Sequence, residues 1–427
     1  MREMKNSEVR WLGMIPKAWD LDKIVSLYSE RSTKVSDRDY PALSVTKQGI
    51  VPQLESAAKT DNGDNRKLIK KNDFVINSRS DRRGSCGISE YEGSCSLINT
   101  VLAPKNNMVN QYYNYLFKTE LFADEFYKWG NGIVDDLWST KWSSMKNIMV
   151  PFPPLKEQRM IADYLDIKCT QIDTIVAKEQ SVIEKLQEYK RAIITNAVVK
   201  GLDLTVEMAD SGIEWIDSIP NHWKINRLIF SAYIRARLGW KGLKADEYTS
   251  EGHPFLSAVN IQNDKLVWED LNFINDNRYD ESPEIKLELG DLLLVKDGAG
   301  IGKCAIVDQL PYGTATTNSS LGVITPYSEL NSMYLYYFFE SAIFQNYISR
   351  IKNGMGVPHL TQGNLKNIMV VIPPYCEQEA IVAYLDDKCS NLDSIILKKQ
   401  TLIDKLIDIT DTVHTDATRC RNLPLIL

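Results

Sequence analysis

Two stretches of the chain hold residue types that could do chemistry. The first is Ile372-Pro373-Pro374-Tyr375, echoed upstream as Phe152-Pro153-Pro154-Leu155. An amino-methyltransferase places Asn or Asp before such a proline pair, to accept from the target amino group while the aromatic ring stacks on a flipped base. Ile372 and Phe152 cannot accept that bond, and no Gly-rich loop for a methyl donor follows an early strand. The pair reads instead as a helix-start device, because proline is tolerated where a helix begins. The second stretch, DGAGIGKC from Asp297 to Cys304, imitates a phosphate-binding loop. A true loop needs Gly at the first position and Ser or Thr at the last, where this chain has Asp297 and Cys304. Its counterpart in the first half is SRSDRRGSC, with Gly84 over Gly302 and Cys86 over Cys304. A glycine-tolerant turn fits both, and its tip carries Arg79, Arg82 and Arg83, or Lys303, toward an anionic backbone.

Composition narrows the remaining classes. The 427 residues have a net charge of −6, 44% hydrophobic and 25% charged residues, as expected for a globular protein of two or three domains. Seven cysteines lie without a C-x-x-C pair, which favours reduced thiols in a cytoplasm over a disulfide framework or structural zinc. The four histidines stand far apart, which argues against a histidine-based metal or catalytic centre. No apolar run spans a membrane, and the first residues lack the apolar core of a signal peptide. The acidic total is unusual for a nucleic-acid binder, but seven Lys/Arg against two Asp between Arg66 and Arg83 leave that class open.

The elements that must position these residues come in duplicate. NIMVPFPPLKEQRMIADYLD, from Asn147, returns as NIMVVIPPYCEQEAIVAYLD, from Asn367. Roughly half the positions from Lys146 to Leu186 match their partners further down the chain. A second echo joins Ser7–Trp19 to Ser211–Trp223. Between the landmarks lie divergent middles of unequal length. After each proline pair the pattern predicts a long helix, Leu155 to Lys200 in the first copy. Ile161, Leu165, Ile172, Ile175, Val182, Leu186, Tyr189 and Ile193 fall near a/d spacing, as do Ile381, Leu385, Leu392, Ile395, Leu402 and Leu406. Two matching seams favour mutual pairing as a coiled coil. Each middle reads as an α/β domain with one aromatic-rich helix, Tyr112–Phe122 or Tyr334–Phe344.

The copies part after Leu406. The Thr- and Asp-rich IDITDTVHTDATRC loses χ1 freedom and competes for backbone hydrogen bonds, so the second helix is expected to lose order between Ile409 and Thr415. Candidate nucleic-acid contacts are Lys67, Lys70, Lys71, Arg79, Arg82 and Arg83 in the first middle. In the second they are Arg235, Arg237, Lys241, Lys244, Lys303 and Asn318. Solvated loops are the alternative for each.

The whole pattern resembles the specificity subunit of type I restriction–modification systems. The resemblance rests on Trp11, Gly13, Ile15, Pro16 and Trp19, on the doubled P-P-x-x-E-Q…Y-L-D block, and on GNGIVDDLWSTKWSSMKNI from Gly130. It implies an α+β chain: two pseudo-repeated α/β target-recognition domains separated by two long helices that pair as an antiparallel coiled coil. Residues 1–145 would form the first recognition domain and 146–205 the first helical region; 206–364 and 365–427 would repeat that order. It further implies double-stranded DNA, two modification (methyltransferase) subunits and restriction (translocase/nuclease) subunits as partners. S-adenosylmethionine, ATP and Mg would sit on those partners, leaving this chain without catalytic residues, cofactor or metal. A coiled-coil scaffold or decoy without specific binding, or a self-contained methyltransferase, are the rival classes.

Overall fold

The structure is a computed structural model that describes residues 3–54, 63–132, 138–236, 243, 247–298, 300–353 and 359–418. The chain divides into two compact units, Met1–Gln180 with Gln400–Leu427, and Ser181–Lys399.

In the first unit, β1 (Asp20–Lys23), β2 (Tyr28–Glu30), β3 (Lys34–Val35), β4 (Leu43–Thr46) and β5 (Gly49–Pro52) lead into β6 (Arg66–Ile69) and β7 (Phe74–Asn77). β8 (Cys86–Ile88), β9 (Gly93–Cys95) and β10 (Asn99–Pro104) follow. They form an antiparallel sheet ordered β8-β7-β10-β2, a smaller sheet β9-β6-β3 and the hairpin β4–β5. β7 and β10 carry Phe74, Val75, Val101 and Leu102, all buried. Two helices, α1 (Asn110–Lys118) and α2 (Glu120–Lys128), cover the larger sheet with Tyr112, Tyr113, Phe117, Phe122 and Phe126. The sequence pattern joins these into one helix. The structure breaks them at Thr119, whose hydroxyl accepts from Phe122 N–H and caps α2. β11 (Met149–Phe152) then pairs with β1 and leads through Pro153-Pro154 into the long helix α3 (Leu155–Lys200).

The second unit repeats the plan. β12 (Lys224–Arg227), β13 (Ala232–Arg235), β14 (His253–Leu256) and β15 (Asn272–Ile274) precede β16 (Leu292–Val295), β17 (Cys304–Ile306), β18 (Thr316–Thr317) and β19 (Leu321–Pro326). The larger sheet runs β13-β19-β16-β17, the smaller β15-β14-β18. α4 (Ser332–Glu340) and α5 (Ala342–Asn353) are split at Ser341 as their twins are at Thr119. β20 (Met369–Ile372) pairs with β12 and enters α6 (Tyr375–Thr418). Because a strand, Cys304–Ile306, follows DGAGIGKC where a phosphate loop would open a helix, the turn has no phosphate-loop architecture. Gly84 and Gly302 both lie at positive φ, 74° and 92°, the region that glycine favours, at matching positions of the two turns.

A 46-residue helix extends about 69 Å. Along α3 the partly or fully buried positions between Cys169 and Lys190 are Cys169, Ile172, Val176, Glu179, Ile183, Leu186 and Lys190, in alternating steps of three and four. Along α6 they are Cys389, Leu392, Ile396, Lys399, Ile403, Leu406 and Thr410. This is the knobs-into-holes spacing of a coiled coil. It corrects the expected seam: Ile175, Val182 and Tyr189 are 43%, 38% and 58% exposed, and their twins Ile395 and Leu402 are 43% and 42% exposed. Polar members at Glu179 and Lys190 disguise the true row in the sequence, and the ammonium of Lys190 meets Asp393 at 2.7 Å within the second unit.

The expected fraying of α6 is also overturned: the helix is continuous to Thr418. Thr410, Thr412 and Thr418 return their hydroxyls to the carbonyls of Leu406, Asp408 and His414, so they do not compete for the ladder. Tertiary packing holds the end. His414, Ala417 and Thr418 are buried in the first unit, and Tyr112 Oη donates to Thr418 O at 2.9 Å. His414 Nε2 meets Cys169 Sγ at 3.1 Å, and its ring packs on Tyr115.

Burial, with a smaller contribution from Lys118, lowers the His414 pKa to about 4. An unburied imidazole titrates near 6.5, so the unfolded end takes up its proton first. The stability this packing contributes is complete above about pH 6.5 and is lost as pH falls toward 4. Hydrogen exchange of residues 409–418, corrected for intrinsic rates, should therefore accelerate on the order of tenfold or more between pH 7.5 and pH 4.5. A His414→Leu chain should lose most of that dependence.

Candidate nucleic-acid interface

One end of β7 in the first unit carries a group of exposed arginines. A 3-10 turn, Ser80–Arg82, follows the strand and presents Arg79, Arg82 and Arg83. Beside it stands the β4–β5 hairpin with Lys47 and Gln48 at its tip, where Gly49 takes φ 123°. A cleft of about 490 Å³ between them is lined by Ser44, Lys47, Asn77, Arg82, Ser96 and Asn99, among others. Asn99 Oδ1 is buried there without a hydrogen-bond partner. Lys47 also borders a larger cavity of about 730 Å³, together with Arg83 and Lys118. Guanidinium and ammonium groups at a rim suit phosphate oxygens, and amides and hydroxyls within a cleft suit base edges. Lys47, Gln48 and Asn77 were not legible as site residues. Their signal was a Thr-Lys-Gln-Gly turn between two short strands, which any hairpin could carry.

The other candidates have varied placements. Lys70 and Lys71 are exposed, but on the β6–β7 turn, at the far end of β7 from Arg79. Lys67 is committed to Asn99 O at 2.9 Å and lies near Glu30. Arg82 is 68% exposed and, among the described residues, pairs with its neighbour Asp81 at 3.6 Å, whereas Arg83 is held by the carboxylate of Asp124. In the second unit, Arg235 is buried at 8% exposure and donates to both carboxylate oxygens of Asp291 at 2.7 Å. That fixes it as a core ion pair, the twin of Arg31 with Asp73 at 2.7 Å, and not a surface cation. Asn318 spends its Oδ1 on Ser320 N–H at 2.9 Å and the Ser320 hydroxyl at 2.6 Å, closing a local turn. Lys303 is exposed beside Gly302. Arg237, Lys241 and Lys244 lie outside the described residues. A further polar array was not anticipated: His253 bridges Thr314 at 2.6 Å and Asp276 at 2.9 Å and stacks on Tyr279.

The two constant motifs hold each domain to its helices. In the first unit Trp19 Nε1 donates to Glu157 Oε2 at 2.8 Å. Gln158, fully buried, accepts from Val109 N–H and donates to Pro153 O, both at 2.8 Å. In the second unit Trp223 Nε1 donates to Glu377 Oε2 at 2.9 Å, and Gln378 accepts from Asn331 N–H and donates to Pro373 O, both at 2.8 Å. Tyr115 and Tyr337 add hydroxyl bonds to Asp166 and Asp386. Among the described residues no three ligating side chains could hold a metal ion, and no helix is long and apolar enough to cross a membrane.

The described residues thus form two repeated α+β domains, each tied to a share of one helix pair, with a cleft bordered by Lys47 and Arg82 in the first. The chain belongs to the family of the type I restriction modification DNA specificity domain, whose model matches residues 28–185 and again 240–405. It is similar to the MjaVIII type I restriction enzyme specificity subunit of Methanocaldococcus jannaschii, at 24% identity over 365 residues, covering 83% of this chain and 81% of the relative. Against the EcoKI specificity subunit of Escherichia coli K12 the identity is 22% over 360 residues, covering 82% and 75%. A solved chain, from work on complex assembly and conformational transition of the type I R-M system, has a similar fold. Its TM-score is 0.70 at 13% identity, with 95% of this chain and 98% of that chain covered.

The exposed and buried arginines should separate cleanly in experiment. Arg82→Ala should leave stability within about 0.5 kcal/mol while lowering the salt slope of duplex binding by about one unit. Asp291→Ala should instead cost roughly 3–5 kcal/mol in urea unfolding, because it strands a buried guanidinium.

Proposed function

We propose that the chain is the specificity subunit of a type I restriction–modification enzyme, in which each unit reads one half of a split DNA site. The observation that carries this reading is the duplication itself. Each family match covers most of one sheet domain, and each domain is closed by a segment of α3 and a segment of α6. On this reading the variable loops contact DNA and the helix pair fixes the spacer between the halves. Methyl transfer from S-adenosylmethionine belongs to two modification subunits, and ATP- and Mg-dependent translocation with cleavage to restriction subunits.

The off-seam row supports a repeated docking surface. Ile175, Val182 and Tyr189 recur at steps of seven, and so do Ile395, Leu402 and Ile409, the last 48% exposed. An apolar row left in water at heptad spacing, twice, suits one helical partner per copy.

Two results would test these roles. Seven residues inserted after both Ala177 and Leu397 preserve the seam and lengthen the pair by about 10 Å, or roughly three base pairs. The recognised half-sites should keep their sequences and move apart by that amount; an unchanged spacer would remove the helices as the ruler. Tyr189→Glu with Ile409→Glu should lower co-purification with a type I modification subunit at least about tenfold, at an unchanged melting temperature.

A further inference from the structure

We infer that Glu157-Gln158 and Glu377-Gln378 are positioning residues: they set the angle at which each reading domain is held on its helices, and so how strictly spacer length is enforced. This rests on the split-site reading above and adds to it a determinant of spacer fidelity outside the DNA-facing loops.

The same two bonds recur in both units, and in the second Glu377 also meets His222 Nε2 at 2.8 Å. One carboxylate takes the indole N–H of the tryptophan that ends the opening motif, at 2.8 Å in one unit and 2.9 Å in the other. One buried amide ties the first turn of the long helix to the backbone just before the aromatic helix, through Val109 or Asn331. In the first unit the linkage continues toward the strand that leads to the arginine turn. Asn110, the next residue after Val109, donates to Asn72 O at 2.8 Å and accepts from Tyr28 Oη at 2.6 Å. Asn72 sits at φ 72° in the turn that launches β7, the strand that ends at the arginine turn. In the second unit Gln378 also donates to Glu329 O at 2.9 Å, and the Glu329 carboxylate accepts from Ser231 between β12 and β13. These bonds lie at the joint between sheet domain and helix, away from the arginine turn.

Loss of the clasp should show as angular slack. A rocking motion of about 10° at a lever arm of about 20 Å, the scale of a domain this size, moves the reading face about 3.5 Å, one base-pair step. A merely structural role would lower binding to every site alike. A positioning role broadens the accepted spacer while leaving both half-site sequences intact.

The test selects bound duplexes from a randomised pool, using the full chain alone and co-expressed with a type I modification subunit. The natural chain should return one split motif with one spacer. Glu157→Leu with Glu377→Leu should return the same half-sites with spacers spread one base pair to either side. Trp19→Phe with Trp223→Phe, which removes the same bonds from the other partner, should spread them likewise. Glu157→Gln with Glu377→Gln keeps an acceptor oxygen and should restore the single spacer. An unchanged single spacer in both the Leu and Phe pairs overturns the inference, as does a changed half-site sequence. If the natural chain returns no split motif, the proposed function fails, and this inference with it.

Discussion

The constraint on which the rest depends is that each unit closes its core on segments of both long helices, the first from two separate stretches of chain. The first unit completes its core only when residues from α6 return to it: Val413 and Ala417 pack with Trp19, Tyr112, Ile161 and Leu165. The second is completed by α3, whose Ile194, Ala197 and Val198 pack with Trp223, Tyr334, Ile381 and Leu385. Helix pairing is therefore part of each domain's interior and not a connector added between finished domains. Such long-range closure slows folding. It also means that a change in the seam is felt by the core of the unit that contains it.

Division of labour follows from that constraint. Residues that recur in both halves, the tryptophans and the Glu-Gln pairs, are buried or half-buried in joints between sheet domain and helix. The loops beyond β7 and β16, by contrast, differ between the halves. Arg79, Arg82 and Arg83 stand in one turn where the other has a glycine-rich loop ending in Lys303. A constant joint with divergent tips lets reading chemistry change without rebuilding the scaffold.

Legibility in the sequence tracked how local the determining physics was. The start of α3 was readable because a proline pair fixes it, and its end because Gly201 takes φ 74° directly after Lys200. The turn shared by Gly84 and Gly302 was readable for the same reason. The split between α1 and α2 turned on one capping hydroxyl within an aromatic run, a signal too slight to outweigh the periodicity around it. The persistence of α6 to Thr418 was not readable, because propensity pointed the other way and a core 306 residues distant in sequence, at Tyr112, decides it. Arg235 looked like a surface cation for an equivalent reason: its partner Asp291 is 56 residues away. Its neighbours in sequence describe a basic segment, whereas its neighbours in space form an ion pair.

The central claim is that the two units read DNA independently through their own variable middles. The most direct measurement is the DNA motif recognised after residues 20–144 are replaced by the equivalent segment of a relative, determined by mapping methylated sites in the assembled enzyme. The account predicts that one half of the motif changes, while the other half and the spacer remain as in the natural chain. If both halves change together, or the motif does not change at all, the account is contradicted.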